Sequence, residues 1–357
     1  MEKIYMDHAA TTYVEERVLD AMIPYFKSHF GNPSSVYETG REAKAVIETA
    51  RETMAKLINA QQKNEIYFTS GGTESNNWAI KGAAAANTGK GKHIITTAVE
   101  HHAVLHPVEH LGKNGYDVTF MPVDRYGMVS PEQVEDAIRD DTILVSVMYA
   151  NNEIGSINPI AEIGEVCHNK GVLFHTDAVQ GAGVLPIDVK RMHVDLLSAS
   201  AHKFYGPKGV GFLYVRNNAF LDNLLHGGGQ ERKRRAGTEN VPYIVGMAEA
   251  LRLAYENADR ENRRIATLRD YMIREIKTKI PGTRLNGHLT MRLPCNINMI
   301  FENVEAQSSL ISLDLAGIEC SSGSACSAGS VEASHVLLSM GVPPEEAKCA
   351  LRFTLVH

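Results

Sequence analysis

The chain has 357 residues, 44% hydrophobic and 22% charged, an ordinary balance for a globular protein long enough for two domains. A formal net charge of -6 leaves no basic surplus for nucleic acid or an anionic membrane, and no apolar run approaches a membrane span. Cysteines 167, 295, 320, 326 and 349 form no CxxC pair; an odd count without a signal-peptide pattern predicts a reducing, cytoplasmic setting and a free thiol.

Ile4–Met6 reads as a short strand, followed by the polar turn Asp7–Thr12. Apolar residues at helical spacing (Val14, Val18, Met22, Ile23, Phe26) predict a helix within residues 13–30, which Gly31-Asn32-Pro33 ends. A second helix is expected from about Glu38 to Asn59. From residue 65 to 215 strands and helical patterns alternate, the signature of an α/β fold with a mostly parallel sheet. Seven strands are predicted, at 65–69, 93–97, 117–122, 143–148, 172–176, 196–198 and 210–215. Residues 227–240 form a glycine-rich, then charged loop, too polar for a core. One long helix is expected over 241–280, with the charged stretch 256–264 suited to linking two domains. Strand and helix alternate again after it, predicting a smaller α+β domain that Ile4–Met6 joins. The expected division is a large domain of residues 13–255 and a small one made of 1–12 and 256–357.

Several stretches carry chemistry. Asp195–Ser200 is a short apolar strand that runs out at Ser200, His202 and Lys203. A lysine beside a histidine in apolar surroundings is a candidate for a depressed amine pKa and for Schiff-base formation, and Ser200 and His202 offer hydrogen bonds to a phosphate. Thr69–Ser75 places Gly71, Gly72 and Thr73 between a strand and a helix start, an arrangement that binds anions. Its spacing matches neither the dinucleotide fingerprint nor the P-loop and favours a mononucleotide or a phosphorylated cofactor; a plain glycine turn is the alternative. Asp177 ends a strand, at the edge where open α/β sheets bind ligands. It serves either as partner to a protonated cofactor ring nitrogen or as a helix cap. His101 reads as a ring stacked on a planar cofactor. His102, His106 and His110 share a helix face, but no cysteine or acid completes a ligand set, so no metal is expected, and Pro107 is expected to interrupt that helix. Ser321–Gly329 is a small-residue loop presenting Cys326, a candidate thiolate nucleophile, whereas Cys320 reads as buried and inert. Arg352, within an apolar strand, is either a structural ion pair or a clamp on a carboxylate.

With Asp7–Thr12, Phe30–Ser35, Asn151–Gly155 and Arg235–Asn240, these motifs stand in an order that resembles the cysteine desulfurases of the NifS/IscS type over nearly the whole chain. Those are pyridoxal-phosphate enzymes of the fold-type-I, class-V aminotransferase superfamily. The resemblance implies that Lys203 binds the cofactor and shuttles protons. It also implies Asp177 on the pyridine nitrogen, Gln180 on the ring hydroxyl and His101 against the ring. Gly72, Thr73, Ser200 and His202 would hold the phosphate, with Thr238 arriving from the other subunit of a homodimer. Asn32, Asn152 and Arg352 would grip the substrate carboxylate. Cys326 would take sulfur from L-cysteine as a persulfide, leaving L-alanine, and its long loop suits delivery to a sulfur-acceptor or iron–sulfur scaffold protein. Relatives usually continue with a further helix and strand, so the small domain is expected to be truncated or divergent at its end. A selenocysteine lyase, an aminotransferase with an incidental Cys326 and a partner-binding subunit without turnover are the alternatives.

Overall fold

The computed structural model describes residues 3–322 and 333–356. After β1 (Ile4–Tyr5), helices α1 (Glu16–Lys27) and α2 (Glu38–Leu57) lead into β2 (Ile66–Thr69), α3 (Gly72–Ala86), β3 (His93–Thr97), α4 (His102–Lys113) and β4 (Asp117–Met121). Then come α5 (Pro131–Ala137), β5 (Thr142–Ser146), α6 (Ile160–Lys170), β6 (Leu173–Asp177), β7 (Leu196–Ser200) and β8 (Gly211–Val215). The single turn α7 (Gln230–Lys233) precedes α8 (Val241–Glu256), α9 (Ala258–Lys279), β9 (Thr283–Leu285) and β10 (Asn296–Phe301). Elements α10 (Ala306–Leu315), β11 (Ile318–Glu319), α11 (His335–Ser339), α12 (Pro344–Ala347) and β12 (Ala350–Thr354) follow.

Strands β2 to β8 make one sheet in the order 2-8-7-6-5-3-4, in which β8 alone runs against its neighbours. Strands β3, β5, β7 and β8 are buried at every residue, because helices cover both faces and each face needs apolar side chains. Successive side chains serve opposite cores. Leu144, Leu196 and Leu213 pack with Trp78 of α3 and Val104 of α4. Val145, Leu197 and Phe212 pack on the other face with Met54 of α2, Ile163 of α6 and Met247 of α8. All strands but β8 therefore end at the same edge, where the motif residues stand.

Strands β12, β10 and β9 form an antiparallel sheet. Its apolar face gathers Ile297, Met299, Leu351 and Phe353. Strand β1 pairs with β11 in parallel and Asp7 bridges to Thr354, so the chain's start lies among its last strands.

Two expectations need correction. The single long helix is two, parted at Asn257, whose backbone (φ -125, ψ 18) leaves the helical region. Helix α8 buries Val241, Ile244, Met247 and Leu251, whereas α9 buries only Ile265 and Arg269, so the two halves answer to different surroundings. Pro107 does not interrupt α4. Burial of Val104, Val108 and Leu111 against the sheet carries the helix past the one amide that proline lacks.

Candidate active site

The carboxyl ends of β2, β3, β5, β6 and β7 open into a cavity of about 730 Å³, closed from the opposite side by Ala9, Ala10, His335 and Arg352. Of the residues singled out by the sequence, Gly72, Thr73, His101, Asn152, Asp177, Gln180, Ser200, His202, Lys203 and Arg352 line it.

Strand β7 ends at Ser200, and one turn of 3-10 helix, Ala201–Lys203, carries the lysine into the cavity. Its Nζ donates to the carbonyl oxygens of Ala9 (2.5 Å) and Ala10 (2.7 Å). Gln180 Nε2 donates to the same Ala9 oxygen at 3.0 Å. The segment is fixed there because Thr12 donates to the His202 carbonyl through its amide (3.0 Å) and its hydroxyl (3.1 Å). The His202 ring meets the Thr11 hydroxyl at 3.1 Å. Burial, then the nearby Lys203 and Lys208 charges, push the His202 pKa down to about 4, so this imidazole is neutral.

Asp177 is buried at the end of β6. Its Oδ1 accepts from the Val179 amide (2.9 Å) and its Oδ2 from Asn76 Nδ2 (2.6 Å). The local turn and the cavity thus use different oxygens of one carboxyl; no helix starts directly after Asp177, so it caps a turn and not the helix that the sequence offered as one alternative. Burial pushes its pKa up, against the pull of His101 and Lys203. A buried acid of this kind is a ready partner for a cation.

His101 caps α4: its Nδ1 accepts from the Ala103 amide at 3.0 Å, which leaves the proton on Nε2. Burial lowers its pKa and keeps the ring neutral. Below it, Glu100 has no exposed surface. Its Oε1 accepts from the Thr97 hydroxyl (2.8 Å) and the Met148 amide (2.9 Å), while Oε2 has no partner among the described residues. Burial pushes this carboxyl up to about 8, so it carries its proton at neutral pH.

The turn into α3 is built for close approach. A Cβ on Gly72 would meet Val179 Cγ2 at 2.7 Å, and Gly71 has φ 151. Ser75 locks the turn from beneath, bonding the Thr69 hydroxyl (2.8 Å) and the Phe212 carbonyl of β8 (3.0 Å). Exposed Thr73 is left facing the cavity.

Arg352 of β12 pairs with Asp7 Oδ1 at 2.7 Å and donates to the Asn152 carbonyl at 2.9 Å; its buried Nε has no partner among the described residues. It is a structural ion pair with a donor left over. Asn32 and Thr238 are exposed and do not line the cavity; the Asn32 side chain accepts from the Ser34 amide at 2.9 Å, closing its own turn. Cys326 lies outside the described residues.

Three site residues escaped the sequence reading. Asn76 sits three positions after Thr73 on the α3 face that meets Asp177, so helical spacing from the turn was the available signal. Glu100 is an acid between a buried strand and His101. Glu153, which accepts from the Ser334 hydroxyl, had no local signal, because its partner is far along the chain. His102 stacks with His106 and meets His335, ring centroids 4.8 Å apart in each case. The His110 ring instead meets Asn114, Nε2 to Nδ2 3.4 Å. Among the described residues no group of three or more His, Cys, Asp or Glu is arranged to hold a metal ion. The charged loop is not all solvated either: Glu231 is buried in an ion pair with Arg51, Nη2 to Oε1 2.8 Å, because two matched charges with further hydrogen bonds enter a core that one could not.

The donor set suits a phosphorylated aromatic cofactor: amide and hydroxyl donors at a helix start, a buried carboxyl, a neutral ring and an amine. Comparison with known proteins points the same way. The family model described as aminotransferase class-V matches residues 4–356. A protein named cysteine desulfurase IscS from Methanosarcina thermophila is 56% identical over 352 residues, 99% of this chain and 87% of that one. One of the same name from Dictyoglomus turgidum is 54% identical over 353 residues, 99% of this chain and 89% of that one. Among solved structures, a NifS-like protein superposes with a TM-score of 0.93 at 38% identity, covering 99% of this chain and 93% of that one. A structure described as SspA in complex with cysteine gives 0.87 at 37% identity, covering 98% of each chain.

Proposed function

The chain belongs to the class-V aminotransferase family, among the cysteine desulfurases of the IscS type, and we propose that its cavity binds pyridoxal phosphate and removes sulfur from L-cysteine. The observation that carries this reading is the convergence of Lys203, Asp177 and His101 on one cavity beside the Gly71–Thr73 turn. Asp177 holds the ring nitrogen, Gln180 the ring hydroxyl, and His101 covers the ring. Gly72, Thr73, Ser200 and His202 take the phosphate, with Thr238 reaching in from the second subunit of a homodimer. When bound, pyridoxal phosphate supplies an electron sink for the substrate's α-carbon.

Lys203 Nζ holds the cofactor and moves the proton at that carbon. Asn152 and Arg352, which line the cavity, orient the substrate carboxylate, and Asn32 joins them once its own turn moves toward the cavity; the Arg352 Nε, without a partner among the described residues, supports its share of that role. Cys326 Sγ then takes the substrate sulfur: the substrate C–S bond breaks, an S–S bond forms, and the products are L-alanine and a Cys326 persulfide. The persulfide passes to an acceptor or scaffold protein for iron–sulfur cluster or other sulfur-cofactor biosynthesis in the cytoplasm.

The test is the visible spectrum of the purified protein before and after L-cysteine, with alanine and persulfide assayed in parallel. Wild type is expected to be coloured and to make both products. Cys326→Ala keeps the colour and loses the persulfide, while Lys203→Ala lowers turnover roughly 10³-fold or more. A protein that stays colourless with added pyridoxal phosphate overturns the proposal.

A further inference from the structure

Glu74 stands in the first turn of α3, next to Thr73, and does not line the cavity. An acid there favours a helix start, but it also repels any anion that the same helix end would bind. Arg235 answers that conflict. Its Nε donates to Glu74 Oε1 at 2.8 Å and its Nη2 to Oε2 at 3.0 Å, a two-pronged pair in which the side chains are 20% and 10% exposed. Glu74 Oε2 also accepts from the Ser70 amide at 2.7 Å, so the fork fixes the turn itself.

Arg235 is held in place by a costly backbone. Glu231, Arg232 and Lys233 all have left-handed φ (44, 58 and 67), which non-glycine residues adopt only where their surroundings force it. The forcing contacts come from β2, the strand that ends in the turn, and from Arg51 of α2 beside it. Buried Glu231 pairs with Arg51 and accepts from the Phe68 amide at 3.1 Å. The Arg232 guanidinium lies 4.5 Å over the Tyr67 ring. One loop thus registers Arg235 against the very turn that Glu74 caps.

We propose that Arg235 is a positioning residue for phosphate-monoester binding: by forking onto Glu74 it holds that carboxylate on Ser70 and cancels its repulsion of a dianion at Gly72 and Thr73. The inference rests on reading this turn as the cofactor's phosphate site. The test titrates apo wild type, Arg235→Met, Glu74→Gln and the double variant with pyridoxal phosphate, followed by absorbance, and with inorganic phosphate, followed by thermal shift. Arg235→Met is expected to weaken both ligands about tenfold or more, and the double variant to recover most of that loss, because the repelling charge has gone with its partner. Glu74→Gln alone leaves Arg235 free to attract phosphate and is expected to bind at least as tightly as wild type at low salt. It keeps the question open to refutation even if Arg235→Met fails to fold. Wild-type affinity in Arg235→Met, a double variant no better than Arg235→Met, or weakened phosphate binding in Glu74→Gln overturns the proposal in favour of a merely structural loop. A wild type that binds inorganic phosphate but not pyridoxal phosphate overturns the functional reading and leaves the Arg235 comparison decisive; one that binds neither overturns both.

Discussion

Asp177 and Glu100 are both buried carboxyls beside the same cavity, yet they are prepared for different work. Asp177 receives a donor on each oxygen and feels His101 and Lys203, so a further cation would complete an ionised carboxylate. Glu100 has donors on one oxygen only and stays protonated to about 8. Since its unfolded value is 4.5, the folded protein between these limits keeps a proton that the unfolded chain has lost. Its contribution is therefore fully present below pH 4.5 and is lost as pH rises to about 8, at up to ~1.4 kcal/mol per pH unit. Glu100→Gln mimics the protonated form and removes that slope. In urea unfolding of the apo protein the variant should gain on wild type steadily from about pH 5 to pH 8. Parallel curves would refute the assignment. His202 acts in the opposite sense, costing stability as pH falls from 6.5 to about 4, but it does so in both proteins and cancels in the difference.

Helices on both faces of the sheet can approach closely only where small residues let them. Gly164 of α6 is such a point: a Cβ there would be built onto the Met192 carbonyl oxygen, an obstacle that is backbone and cannot rotate away. Gly164→Ala is expected to destabilise by about 1–3 kcal/mol, read as a lower midpoint in thermal or urea unfolding. An unchanged midpoint would mean that α6 shifts freely, against the burial of Ile160, Ile163 and Cys167 along it. Helix α6 leads into β6, so its seating also sets the height at which Asp177 meets the cavity.

At the scale of the molecule, Phe30, Val36 and Tyr37 are 75%, 85% and 61% exposed in the connection between α1 and α2, on either side of Asn32. Large apolar side chains grouped in this way favour a covered surface. The proposed homodimer gives them a second copy to meet and gives Thr238 a partner's cavity to enter. Light scattering is expected to report twice the chain mass, and Val36→Asp with Tyr37→Asp to shift it toward monomer with weaker pyridoxal phosphate binding. A wild-type monomer that retains the cofactor tightly would contradict the dimer. Among the described residues no helix is long and apolar enough to cross a membrane.

The alternation of periods along the chain was enough to determine the central sheet: seven strands were legible because a side chain's face depends on its immediate neighbours. The glycine turn, Asp177 and Ser200–Lys203 were legible for the same reason, since each stands where an apolar strand stops. What depends on distant partners was not. The break at Asn257 and the continuity of α4 through Pro107 were decided by which faces the folded core buries. That Lys203 would meet the carbonyls of Ala9 and Ala10 could not be read from residues so far apart. Nor could the pairing of Arg235 with Glu74, the entry of Glu231 into the core, or the protonation of Glu100. A charge is costly or useful according to what surrounds it, and only the folded chain supplies those surroundings.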